Sequence, residues 1–326
     1  MEQETFAPPD PARIWTLTDG HAGNRRQASA LAAALGVGPV RDWTLATRAP
    51  WRWFAPRLSP GADSAFGDHF ARAAPAPLAI GCGRQAALAT RLLRRRGAHV
   101  VQILDPRIDP RHWDVVIAPE HDGLRGANVI SLLGSLNPVD DEWLRRARAY
   151  FTAFAALPAP RTAVLIGGDS AHMRFGPDAF QALTAMLDAA LAREGGSVLA
   201  TTSRRTPAAV AHALRAHHAH TPGVIWCGAA DGENPYPGLL AWADRIVCTP
   251  DSVNMLSEAC ATRVPVFVFN PAGLEGRPRA FVDALLARGR IRALDTALAP
   301  FAVEPLRETT RVVQQLRERL PPATWA

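Results

Sequence analysis

Arg245-Ile246-Val247-Cys248-Thr249-Pro250-Asp251-Ser252-Val253-Asn254-Met255-Leu256-Ser257-Glu258-Ala259-Cys260 reads as one complete strand, loop and helix. The run 245–248, apolar after Arg245, has the length of a short buried strand, Pro250 breaks it, and Ser252 opens a helical pattern over 252–261. At about 100° per residue, Asp251, Asn254 and Glu258 fall within about 60° of one another, while Val253, Leu256 and Cys260 take the opposite side. The spacing therefore predicts a helix with a polar face aimed away from its core. From 251 to 258 the helix would rise about 10 Å, far enough to run from a phosphate at its positive end to a sugar ring beside Glu258. A carboxylate there is suited to accept two vicinal ribose hydroxyls. The alternative is an ordinary amphipathic helix that shows Glu258 to water.

The same order repeats along the chain in both directions. Strands are expected at 14–18, 40–45, 78–80, 100–104, 115–118 and 129–133, with helices near 27–35, 85–96 and 139–156. After Leu157-Pro158-Ala159-Pro160, which reads as a linker, a second series follows. Its strands are expected at 163–166, 198–201, 224–227, 245–248 and 266–269, and its helices near 177–193, 207–217, 252–261 and 279–288. Alternation of this kind means α/β architecture: two Rossmann-like domains with parallel sheets facing a cleft. The expected division is 1–157, 158–303, and a terminal helical segment 304–326 that packs back on the first domain.

Composition removes several kinds of chemistry. All 36 basic side chains among the 326 residues are arginine. Without lysine there is no Walker loop ending Gly-Lys-Ser/Thr, no pyridoxal Schiff base, no kinase-type phosphate lysine and no Tyr-x-x-x-Lys dyad. The net charge of +6 admits an acidic partner. The arginines are spread rather than massed, which argues against nucleic acid. Cys82, Cys227, Cys248 and Cys260 form no C-x-x-C pair, so free thiols in a reducing cytoplasm are expected. No signal-length apolar segment opens the chain and no run approaches a membrane span. His217-His218-x-His220 closes a helix, where cations suit the negative end, so no metal is assigned to it.

In open parallel sheets ligands gather beyond the carboxyl ends of the strands, so the loops there matter most. Thr18-Asp19-Gly20-His21-Ala22-Gly23-Asn24 with Gln27 has the shape of a phosphate or hydroxyl cradle, or of a plain strand-helix turn capped by Asp19 or Asn24. In the second series, Gly167-Gly168-Asp169-Ser170 and Thr202-Ser203-Arg204-Arg205-Thr206 offer amides, hydroxyls and two guanidinium groups at a helix start. There Thr206 before Pro207 reads as a cap, whereas adjacent arginines are disfavoured unless an anion is present. Asn234 and Tyr236, after another strand, are candidates to border a base.

Trp15 to Gly20 with Ala22-Gly23-Asn24 and Gln27, Leu104-Asp105-Pro106-Arg107, the Pro119/His121-Asp122 segment, Ile166-Gly167-Gly168, Thr202 to Thr206, Asn234-Pro235-Tyr236 and Thr249 to Glu258 together resemble the bacterial branch of the mitochondrial fission ELM (elongated mitochondria) family. The resemblance implies a GT-B-like glycosyltransferase fold with a nucleotide-sugar donor held mostly by the second domain. For plant members it implies an adaptor that brings a dynamin-type GTPase to the mitochondrial surface. On the transferase reading, donor contacts fall to Gly168, Ser170, Thr202, Ser203, Arg204, Arg205, Thr206, Asn234, Tyr236, Asp251, Ser252, Asn254, Met255 and Glu258. Gly20, Gly23, Asn24, Gln27, Asp105, Arg107 and Asp122 form an acceptor-side loop set, and Asp19, with His121 second, is the base for an acceptor hydroxyl. No D-x-D motif is present, so neither metal nor cofactor is expected, and arginine and helix ends would stabilise the leaving diphosphate. The donor is expected to be uridine-linked. The resemblance also brings an older label of nucleotide-sugar epimerase; that activity is not expected, because the chain lacks both the glycine fingerprint and the dyad lysine.

Trp51, Arg52, Trp53 and Phe54, inside the Pro-bounded segment 49–58, mix aromatic and cationic side chains as peripheral membrane contacts do. The alternative is a loop whose tryptophans pack on the core. Membrane contact would place the protein in the cytoplasm at the inner membrane face, near a lipid-linked acceptor.

Overall fold

Buried strands that are apolar at every position must be covered on both faces. In the first unit Ile14, Leu78, Ile80, Val101 and Ile103 fill one side of a sheet, and Trp15, Leu17, Ala79 and Val100 fill the other. The computed structural model describes residues 12–325, which divide into a first unit of 12–137 with 308–325 and a second of 138–307.

The first unit runs β1 (Ile14–Thr18), α1 (Ala22–Leu35), β2 (Val40–Thr44), α2 (Trp51–Phe54), α3 (Asp68–Arg72), β3 (Leu78–Cys82), α4 (Arg84–Arg95), β4 (His99–Ile103), β5 (Val115–Pro119) and β6 (Val129–Leu132). The second runs α5 (Asp141–Tyr150), β7 (Arg161–Ile166), α6 (Pro177–Glu194), β8 (Ser197–Thr202), α7 (Ala208–His217), β9 (Gly223–Trp226), α8 (Tyr236–Trp242), β10 (Arg245–Cys248), α9 (Val253–Cys260), β11 (Val266–Val268), α10 (Gly276–Ala287) and β12 (Ile291–Ala293). The chain then returns to the first unit as α11 (Glu308–Arg319).

Both sheets are six-stranded and parallel, in the orders β2-β1-β3-β4-β5-β6 and β12-β11-β10-β7-β8-β9. In the first, α1 packs Ala28, Leu31 and Leu35 on one face and α4 packs Ala86, Ala89 and Leu93 on the other. Strand order thus reverses between β1 and β3, and in the second sheet between β7 and β10. At such a reversal the flanking helices diverge and leave a crevice at the carboxyl ends.

Two boundaries differ from those read in the sequence. The first division falls at 137 rather than 157, because α5 is built into the second unit. Arg148 Nε donates to the Ala241 carbonyl at 2.5 Å, and Asp141 pairs with Arg263 at 2.8 Å and Arg307 at 2.7 Å. Gly238 lets Phe151 approach so closely that a Cβ there would stand 2.6 Å from its ring. Residues 157–160 therefore link two elements of one unit. The second division falls at 308 rather than 304, since Leu306 N still donates to the Cys260 carbonyl at 2.8 Å, while Glu308 accepts from Leu133 N at 2.9 Å.

Candidate functional site

The crevice of the second sheet is rimmed by the loops after β7, β8 and β10, and one carboxylate locks all three. Asp251 accepts from Gly168 N at 3.0 Å, from Thr249 Oγ1 at 2.6 Å and from Arg205 Nη2 at 2.7 Å. Thr249 Oγ1 in turn accepts from Gly167 N at 2.7 Å. A Cβ at Gly167 would lie 2.0 Å from the Asp251 carboxylate, and one at Gly168 would lie 2.2 Å from the Arg205 carbonyl. These glycines serve loop against loop.

This hub corrects the expected roles of two residues. The Asp251 side chain is buried and spent on its neighbours, and it precedes α9, so a helical wheel does not describe it. Arg205 is committed to Asp251 and to the Asp169 carbonyl at 3.1 Å. The two-arginine clamp is thus reduced to exposed Arg204, with which no other described residue pairs. Ser203 and Thr206 close a turn, Ser203 N donating to Thr206 Oγ1 at 2.9 Å while that hydroxyl donates to the Gly167 carbonyl. Ser170 Oγ accepts from His172 N and Met173 N, each at 3.1 Å, and Thr202 Oγ1 donates to the Cys227 carbonyl at 3.4 Å.

On α9, Ser252 is the cap, accepting from Met255 N at 3.4 Å, and Asn254 and Met255 are half-exposed on the first turn. Glu258 is 2% exposed, so the alternative of a side chain shown to water does not hold, and this end of the polar face is covered. Tyr236, the first residue of α8, covers it and donates its hydroxyl to Oε2 at 2.6 Å, and Asn234 Oδ1 accepts from Tyr236 N at 3.0 Å. The predicted donor residues are therefore brought to one sheet edge, several of them as the scaffold of the rim.

In the first unit, Asp19 lies just beyond β1, at the reversal beside β3. It accepts from Asn24 Nδ2 at 2.9 Å and His21 N at 3.1 Å, and its Oδ1 stands 3.0 Å from His21 Nδ1. Burial pushes the Asp19 carboxyl up, but hydrogen bonds from Asn24 and His21 outweigh it and leave it below the ordinary carboxylate range. Gly20 has a φ of +82°, which a glycine adopts without strain, Gly23 lies in the first turn of α1, and Gln27 is buried. The loop after β3 was not singled out in the sequence. Yet Cys82 Sγ lies 3.6 Å from Asn24 Oδ1, and a Cβ at Gly83 would lie 2.7 Å from Asn24 Nδ2. Two glycines flanking a cysteine where β3 ends, Gly81-Cys82-Gly83, were the available signal.

The loops after β4 and β5 meet through Arg107, which pairs with Asp105 at 2.8 Å and Asp122 at 3.3 Å. Leu104 and Arg107 both adopt positive φ, +73° and +62°, so this turn is strained and its carboxylates are held in place. Burial lowers the pKa of His121, partly offset by Asp122. Burial raises that of Asp122, against the pull of Arg107.

Against the start of α4, α2 exposes Trp53 at 63% and Phe54 at 52%. Trp51 is half-buried, its indole N–H donating to the Pro60 carbonyl at 3.0 Å, and Arg52 lies over the Trp53 ring at 5.6 Å. Arg84, missed in the sequence, donates to the carbonyls of Trp53 and Ala55, both at 2.6 Å, and fixes this segment. Among the described residues no helix is long and apolar enough to cross a membrane, and no group of three or more His, Cys, Asp or Glu gathers as a metal site. His217 pairs with Asp188 at 2.9 Å.

Two Rossmann-like units, each with polar loops at the reversal of a parallel sheet, define a GT-B-like protein. The family model for Mitochondrial fission ELM1 matches residues 22–320, and the chain belongs to that family. It is 32% identical over 280 residues to the Mitochondrial fission protein ELM1 of Arabidopsis thaliana, covering 76% of this chain but only 65% of that relative. It is 25% identical to the Uncharacterized protein RP120 of Rickettsia prowazekii (strain Madrid E), over 93% of this chain and 97% of the relative. In fold it is similar to the UDP-GlcNAc 2-epimerase of Methanocaldococcus jannaschii, with TM-score 0.56, 12% identity and 94% and 99% of the two chains covered. It is likewise similar to that of Neisseria meningitidis bound to UDP-GlcNAc, with TM-score 0.53, 14% identity and 96% and 92% covered.

Proposed function

We propose that the chain is a metal-independent glycosyltransferase of the GT-B type that takes a nucleoside diphosphate sugar, uridine-linked, as donor. The observation that carries this reading is the Asp251 hub, which locks three loops at the second sheet's crevice into a preformed rim with Arg204 left uncommitted. Preformed polar groups aimed at developing charge stabilise a leaving diphosphate without reorganisation. Arg204 and the start of α9 supply positive charge, and Ser252 and Asn254, half-exposed at the start of that helix, supply polar groups for the ribose. In the reaction, the acceptor hydroxyl oxygen bonds to the anomeric carbon as the bond to the diphosphate breaks with its electrons. The proton goes to a general base, for which Asp19, ionised at neutral pH, is the first candidate and His121 the second.

Exposed Trp53 and Phe54 favour a second reading, a non-catalytic GT-B-fold adaptor at a membrane surface. Titration calorimetry with UDP, GDP, ADP and CMP separates the two. UDP is expected to bind, to add about 2.7 kcal/mol of stability at 100 times its dissociation constant, and to bind about tenfold more weakly to Arg204→Ala. If no nucleotide binds or shifts the thermal transition, the transferase reading fails and the adaptor stands.

A further inference from the structure

The first unit carries a second concave surface, at the strand ends opposite Asp19. It is a groove of about 630 Å³ between the end of α4, the loops that enter β5 and β6, and the end of α11. That volume falls within the usual range for small-molecule sites, roughly 300–1,000 Å³. Its walls are fixed from inside, because Asn128 Nδ2 donates to the carbonyls of Pro110 at 2.8 Å and Trp113 at 2.9 Å.

The charge on the rim does not balance. Arg94, Arg111, Arg125 and Arg319 line the groove with Asp109 and Asp114, so four guanidinium groups against two carboxylates leave two positive charges. Asp114 neutralises Arg94 at 2.9 Å, and Asp109 neutralises Arg111 at 2.6 Å. Arg125 and Arg319 have only carbonyls: that of Leu124 at 3.3 Å for the first, those of Ala127 and Val129, each at 3.2 Å, for the second. A carbonyl dipole orients a guanidinium but leaves its charge uncompensated. Pro110 and Leu320 give the same groove an apolar wall.

We infer that this groove binds a phosphorylated small molecule, a phosphomonoester whose headgroup is held by Arg125 and Arg319 and whose body lies against Pro110 and Leu320. A phosphomonoester near pH 7 carries about −1.5 to −2 charges, which matches the two left over, and guanidinium groups suit its oxygens. The site lies at the amino ends of β4, β5 and β6 and shares no residue with the donor rim or with the Asp19 loop, so it stands or falls independently of the transferase reading.

Titration calorimetry on the full chain tests it, with inorganic phosphate, glucose 1-phosphate and AMP as probes. Saturable binding is expected for all three, strengthened by the organic bodies and weakened by about tenfold in Arg125→Ala or Arg319→Gln. Arg204→Ala, on the other unit, should leave the glucose 1-phosphate isotherm unchanged. Arg125 bonds only its own loop, so the melting curve of Arg125→Ala should match the parent and exclude a folding defect. The assignment is overturned if none of the probes binds, or if their binding survives both substitutions, or if it is lost in Arg204→Ala instead.

Discussion

Asp251 carries more of the second unit than its place in a polar motif implies. Its carboxylate receives an amide, a hydroxyl and a guanidinium from three loops, so removing it strands Arg205 and the Gly168 N–H together. Breaking a buried pair from one side costs about 3–5 kcal/mol, and partial exposure of Arg205 reduces that to roughly 2–3. Asp251→Ala should therefore lower the unfolding free energy measured in urea by that amount, with a lower midpoint, and weaken UDP binding, although Asp251 would touch no ligand. Asp251→Asn, which keeps the shape and loses the charge, should lose less. Equal midpoints for parent and Asp251→Ala would show that the hub is not structural. The sequence pointed to this residue for a different reason. A helical wheel aligned it with Asn254 and Glu258, but α9 begins only at Val253. The wheel grouped Glu258 with Asn254 correctly and still misjudged its burial, because burial there depends on Tyr236 from a different segment of chain.

At the scale of elements, α2 is four residues long and would not hold its shape alone. Arg84 and the Trp51 indole pin it, so Trp53 and Phe54 are displayed on a fixed mount instead of collapsing inward. If this knuckle meets an anionic bilayer, burying one tryptophan is worth roughly 1.5–3 kcal/mol, a tenfold or greater change in partition. Sedimentation with anionic vesicles should be salt-sensitive and should drop in Trp53→Ala. It should drop also in Arg84→Ala, where both aromatics remain but their mount is lost. Binding indifferent to lipid charge and to both substitutions would remove membrane contact. Elements of this kind mark the limit of what patterning reveals. Parallel sheets announced themselves through runs apolar on both faces, and helices through their period. The strand β12 did not, since only Ile291 of its three residues is buried. Nor could α5 be assigned to a unit, because its contacts are made with residues some ninety to 160 positions away.

The chain crosses between its units twice, and the consequences for the two are unequal. The second unit, 138–307, is one continuous segment that contains the Asp251 hub, Arg204, Tyr236 and Glu258. The first needs α11 and the residue after it, which place Val312, Leu316 and Leu320 in the core beside Ile14, Leu31 and Leu35. α11 also anchors the loop after β6: Glu308 accepts from Leu133 N at 2.9 Å, and Thr309 exchanges hydrogen bonds with Asn137 at 2.7 and 3.0 Å. Burying those three aliphatic side chains is worth roughly 5–8 kcal/mol, against a total stability of about 5–15 kcal/mol for a domain. A chain ending at Arg307 should therefore lose the first unit and keep the second. Calorimetry should show one transition missing, and limited proteolysis should digest 12–137 while sparing 138–307. The fragment 138–307 expressed alone should fold and, on the proposed donor reading, bind UDP as the full chain does. A fragment that folds without binding UDP, while the full chain binds it, would mean that residues of the first unit complete the donor site. A fragment that fails to fold would overturn the independence of the second unit.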